Sequence, residues 1–226
     1  MFDSLEAQRR IGRFAWVMAW FGLVAGQFHA MARHQTADGK ADLTAWGVRV
    51  WSDPGRKAFR PLLDWASPDV VYVTWGKIWL PVFVAFTLCA FVVHRRQHTV
   101  GFEKWAWRIM LAGFVGACVS VGLEYWTSWT SAHQGIIDGL FPFTVLAMLT
   151  SVLGSTMVGI TLLHRRFRPR TPALLMALTI PGLIVVLQFT SMGSVALPMM
   201  FAFGILGRRI AKEGDYAPRV GAPSMA

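Results

Sequence analysis

The sequence predicts an all-α integral membrane protein, a bundle of about six transmembrane helices with one amphipathic segment on its outer surface. Three observations carry this prediction. Long apolar runs, among them 78–93 and 140–163, contain no lysine, arginine, aspartate or glutamate, and these two end in His94-Arg95-Arg96 and His164-Arg165-Arg166. The chain of 226 residues is 54% hydrophobic and only 15% charged, whereas charged residues make up about a quarter of a soluble domain. The net charge of +10 is distributed one-sidedly, as a bilayer topology requires.

The first span covers 14–33, after Arg9, Arg10 and Arg13. Those arginines, the apolar run and Ala30-Met31-Ala32 also resemble a secretory leader with its small-residue cleavage site. Phe28 and His29 are too bulky beside such a site, so the segment is read as retained. The second span is 78–93, the third 109–127 and the fourth 140–163. The apolar stretch that follows, 172–206, exceeds the roughly 20 residues one span needs. It breaks at Thr190-Ser191-Met192-Gly193-Ser194, giving spans 172–189 and 195–206. Five spans with a re-entrant end is the competing arrangement.

A count of basic residues sets the orientation. With the N-terminus inside, the inner segments hold Arg9, Arg10, Arg13, Arg95, Arg96, Lys104, Arg108, Arg165, Arg166, Arg168, Arg170, Arg208, Arg209, Lys212 and Arg219. The short outer connections 128–139 and 190–194 hold none. This excess accounts for the net charge without nucleic acid and places both termini in the cytoplasm of a bacterial cell, with the spans in the plasma (inner) membrane. Residues 1–212 form one membrane domain, and 213–226, rich in Gly, Pro, Ser and Ala, read as a disordered cytoplasmic tail.

The outer loop, 34–77, carries Trp46, Trp51, Phe59, Leu62, Leu63 and Trp65 and is expected to be ordered. Asp53 is placed to cap an interfacial helix with Pro54 at its first position. Phe59, Leu62, Leu63 and Ala66 would then share its apolar face. Ser67-Pro68-Asp69 starts the next helix, which runs into the second span. Such an amphipathic element suits a membrane surface, or a lid over a site between helices. Stripes of small residues, Ala112, Gly116 and Ser120 against Ser151, Ser155 and Gly159, predict that the third and fourth spans pack closely.

Chemistry is sparse. Glu124 is the one acid inside an apolar run, near the outer end of the third span, where a carboxylate is paired, protonated or within reach of water. Gln27, His29, His133, Asp138 and Gln188 fall at a similar depth. With Glu124 they define a polar centre for a substrate or a proton. A metal site is not expected: there is no His-Glu-x-x-His pattern, and His29 and His34, five apart, face different ways. The histidines also fall on two levels, so that His29 with His133 and His94 with His164 would be the axial pairs of two b-type haems. His94 and His164 sit at the water interface, which argues for the plainer role of basic stops. Arg95, Arg96, Arg165, Arg166, Arg168 and Arg170 would set topology and meet anionic lipids. Cys89 and Cys118 lie within apolar runs and read as packing residues.

The expected function is therefore a small transporter or an integral accessory subunit of a membrane complex, with lipids, other membrane subunits or further copies of itself as partners. A redox subunit carrying haem b and a small enzyme acting at the outer face are the alternatives.

Overall fold

The computed structural model describes residues 4–97, 99–128, 133–186, 188–189 and 195–213, with the side chains of 133, 134 and 213 left aside. All secondary structure among them is helical: α1 (Leu5–Arg33), a 3₁₀ turn (Asp38–Thr44), α2 (Trp46–Ala58), α3 (Arg60–Leu63), α4 (Pro68–Gly76), α5 (Trp79–Arg96), α6 (Gly101–Trp126), α7 (His133–His164), α8 (Arg170–Ala177), α9 (Thr179–Val186) and α10 (Leu197–Glu213). Four segments are long and apolar enough to cross a membrane: Leu5–Arg33, Pro68–Arg96, Gly101–Trp126 and Gly135–His164. They keep large apolar side chains such as Val17, Val24, Val119, Leu146, Leu153 and Ile160 on their exposed faces, as helices bathed in lipid do. The stretch expected to supply two more spans is different. Residues 172–189 are divided between α8 and α9, eight residues each, and α10 has 17. The break expected at 190–194 and the tail from 214 lie outside the described residues.

The four long helices start or end beyond the apolar runs. Helix α1 begins at Leu5, where the Ser4 side chain accepts a hydrogen bond from the Ala7 amide at 3.2 Å. This cap satisfies one of the orphan amides of the first turn. Arginines are good helix formers, so Arg9, Arg10 and Arg13 continue the helix even where the apolar run has stopped. Helix α4 begins at Pro68, as the Ser-Pro-Asp signal predicts, and a turn at Lys77–Ile78 joins it to α5.

Helix α1 runs antiparallel to both α10 and α5, which therefore lie parallel to each other, and α6 runs antiparallel to α7. Helix α1 packs on α10, with Gly12 against Gly207 and Gly22 against Met200, and on α5, with Gly26 against Trp79. The core between them is built from Trp79, Phe86, Trp107, Phe114, Met199, Met200 and Phe203. Helices α6 and α7 pair as expected from their small residues, with Gly116 on Ala147 and the Ser120 hydroxyl bonded to that of Thr144. Both stripes are shifted, however: Ala112 is exposed and Gly113 takes its place against Ser151, while Gly159 rests on Ala177 of α8 and Gly154 meets Met110 of α6. Four residues turn a helix by about 400°, so positions spaced strictly by four drift off the contact line. The α6 contact runs through 113, 116 and 120 instead.

The segment between α1 and α4 folds back over one end of the bundle. Its helix is not the one expected. Helix α2 starts at Trp46, so Asp53 is no cap but an interior residue paired with Arg56, and Pro54 lies within the helix. The helix continues past Pro54 because its other face is anchored: Val48 and Ser52 are buried and Gly55 rests on the Met31 sulfur. Nor do residues 59–66 form one face of one helix. Only Leu63 among them is buried; Phe59 caps α2 half-exposed, edge-on to Phe28 at 5.2 Å. Leu63, Met31, Ala32 and Val71 make a small second core with Phe28 and Trp75, whose rings stack at 4.8 Å.

Candidate functional site

Beneath this cap, the last turns of α1 and α6 meet α4 and the start of α5. His29 of α1, 3% exposed, is enclosed by three aromatic rings. Tyr72 stacks on it at 4.7 Å with only 19° between the planes. Tyr125 and Trp79 stand edge-on at 5.4 Å and 6.0 Å. The Trp79 indole N–H donates to His29 Nδ1 at 3.0 Å. An indole can only donate, so Nδ1 must accept, and the neutral imidazole carries its hydrogen on Nε2. That Nε2 is buried and has no hydrogen-bond partner among the described residues.

The two tyrosines extend the site in both directions. Their hydroxyls lie 3.1 Å apart. On one side Arg33, whose Nε donates to Asp42 at 2.9 Å, is within reach of the Tyr72 hydroxyl. On the other, the half-buried Glu124 carboxylate is within electrostatic reach of both tyrosines. Asp42, Arg33, Tyr72, Tyr125 and Glu124 thus form a polar line from the 3₁₀ turn into the end of α6, with His29 packed along its middle. Gly76 allows this geometry: a Cβ there would stand 2.2 Å from the Tyr125 ring.

Of the polar groups placed at this level by sequence, His29 and Glu124 flank the same tyrosine pair. Gln27 donates to the Leu23 carbonyl of its own helix at 3.3 Å. Asp138 is exposed on the first turns of α7, and Gln188 is exposed after α9, its carbonyl against Gly47 of α2. The side chain of His133 lies outside the described residues. At the opposite end His94 stacks on Trp107 at 5.1 Å, with Nδ1 buried and without a hydrogen-bond partner among the described residues, while His164 is exposed. The two levels of histidine therefore exist, but His29 has only Nε2 open to a ligand. Among the described residues no three His, Cys, Asp or Glu side chains are grouped to hold a metal ion.

The basic stops have more than one role. Arg96 donates from Nε to the Gln8 side chain at 2.8 Å, and Arg165 meets Glu103 at 2.6 Å. Arg95, Arg166, Arg168 and Arg170 are exposed. Glu103 was not singled out by the sequence, yet it is 4% exposed. Its signal was position, the first turn of α6, where a helix favours a carboxylate. The tyrosines were missed as well, because an aromatic near a span's end reads as an interface anchor. No known protein family, curated protein or solved structure matches this chain.

Proposed function

We propose that the chain is a multi-pass protein of the plasma (inner) membrane, with both termini cytoplasmic, and that the His29 cluster is the proton-handling centre of a small transporter or integral accessory subunit. The observation that carries this reading is the orphaned Nε2 of a buried imidazole beside a hydroxyl pair that leads to Glu124. A buried donor without a partner is costly, about 1–3 kcal/mol, unless something arrives to accept from it. Imidazole, phenol and carboxylate in sequence are the groups proton relays use within membranes. The orientation rests on the excess of basic over acidic residues at the end of the bundle away from the cap, since the basic residues of 33–77 are largely offset by Asp38, Asp42, Asp53, Asp64 and Asp69. The exposed apolar faces of α1 and α7 would meet lipid or other membrane helices, including a second copy.

The test is proton flux into liposomes containing the purified full chain and a trapped pH dye, driven by a potassium gradient with valinomycin. Flux should exceed that of protein-free liposomes, and His29→Phe, Tyr72→Phe and Glu124→Gln should each reduce it by a factor on the order of 100, the scale of one lost acid–base group. Wild-type flux no greater than the protein-free leak, or full flux in His29→Phe, would overturn the proposal.

A further inference from the structure

We propose that the cleft between α1 and α10, at the basic end of the bundle, binds the phosphate head group of an anionic membrane lipid. Arg9 and Arg13 on α1, and Arg208 and Lys212 on α10, surround a cavity of about 490 Å³ together with Trp16 and Ala211. Residues four apart share a helix face, so each helix presents two cations to the cleft. The helices themselves touch here: a Cβ on Gly12 would lie 2.3 Å from the Gly207 carbonyl oxygen. That approach brings Arg13 and Arg208 to one mouth.

Among the described residues no ion pair engages any of the four; on α1, Glu6 pairs with Arg10 instead. Four like charges around one concavity repel one another and raise its potential, and a bound anion relieves both effects. Topology alone would require basic residues at this end of the helices but not their convergence. The surroundings select an amphiphile over a free anion. The Arg208 guanidinium lies over the Trp16 ring at 4.8 Å, and Trp16 continues edge-on into Trp20 at 5.6 Å. Beyond them Val17, Trp20, Phe21 and Val24 remain exposed along α1. A head group in the cleft would therefore have an apolar strip beside it for its acyl chains, with tryptophans at the level where bilayers place them.

The experiment is native mass spectrometry of the detergent-solubilised full chain, titrated with phosphatidylglycerol or phosphatidylcholine, with inorganic phosphate as competitor. Phosphatidylglycerol should bind in preference to phosphatidylcholine. Arg13→Gln/Arg208→Gln should weaken it roughly thirtyfold, equivalent to about 1 kcal/mol for each cation removed. Arg13→Lys/Arg208→Lys, which keeps the charge, should retain most of the affinity. Lys104→Gln/Arg108→Gln removes the same charge from exposed positions outside the cleft and should leave binding within about twofold. Equal binding of the two lipids, an equal loss in the Lys104/Arg108 variant, or displacement of the lipid by millimolar inorganic phosphate would each overturn the assignment.

Discussion

Acidification should undock the cap, and the residue responsible is His34. It is fully buried just past α1, and its Nδ1 lies 2.7 Å from the Ser52 hydroxyl of α2. Burial pushes its pKa down from 6.5 to about 4; Asp42 and Asp53 oppose the shift, while Arg56 and Arg33 add to it. A histidine whose pKa falls on folding is held neutral, so its contribution is complete above the unfolded value and is lost as pH falls toward the folded one. The relevant window is therefore pH 6.5 to about 4. Over that whole window the loss is about 3 kcal/mol at ~1.4 kcal/mol per pH unit, and by about pH 5 it has reached about 2 kcal/mol. That corresponds to a roughly thirtyfold rise in the open population of the cap. Hydrogen exchange of peptides spanning 38–63, corrected for intrinsic rates at about pH 7 and about pH 5, reads it directly. His34→Gln keeps a partner for Ser52 but cannot gain the proton, so its exchange should lose most of the pH dependence. Equal protection of the wild type at the two pH values, or the same slope in His34→Gln, would refute the reasoning.

Two further outcomes follow from close contacts. Gly76→Ala places a methyl 2.2 Å from the Tyr125 ring, so the ring must move away. Overpacking of this kind should cost about 1–3 kcal/mol, seen as a lower melting temperature, and should abolish proton flux if the Tyr72–Tyr125 pair is part of the relay. Arg165→Ala strands Glu103, whose side chain is 4% exposed against 46% for its partner. Breaking a fully buried pair costs about 3–5 kcal/mol, and the exposure of Arg165 reduces this to roughly 1–3 kcal/mol. Adding Glu103→Gln to Arg165→Ala should recover most of the thermal stability, whereas a pair acting only through lipid contact would show no recovery.

The four long apolar helices were legible because a run without charges has few solutions in water, and the His-Arg-Arg stops mark where those runs finish. Their full lengths were not, since a helix does not end where hydrophobicity ends: Leu5–Arg13 and Gly101–Arg108 stay helical through charged turns. Helix α2 was misplaced for a related reason. Pro54 and Asp53 carry a strong local start signal, but the tertiary anchors at Val48, Ser52 and Gly55 decide the helix, and no local pattern contains them. The site was half legible. His29 and Glu124 are conspicuous as polar residues in apolar sequence. Tyr72 and Tyr125 are not, and they are 53 residues apart, so their meeting is a property of the packing of α4 on α6.

Both ends of the bundle leave buried polar atoms open, and their surroundings bear on where chemistry belongs. At the basic end Glu103 pairs with Arg165 and Arg96 takes up Gln8, while the buried His94 Nδ1 and Trp107 Nε1 have no hydrogen-bond partner among the described residues. Around His29, Trp79 occupies Nδ1 and nothing among the described residues occupies Nε2, but here a tyrosine pair leads on to Glu124. A phenylalanine in place of His29 would remove the orphaned Nε2 but leave the buried Trp79 indole N–H without its acceptor, at about 1–3 kcal/mol. A glutamine can still accept from Trp79 through its side-chain oxygen but cannot relay a proton as an imidazole does. His29→Gln should then melt close to the wild type while losing proton flux, and His29→Phe should lose both stability and flux. Full flux in His29→Gln would make the imidazole a structural acceptor for Trp79 and nothing more.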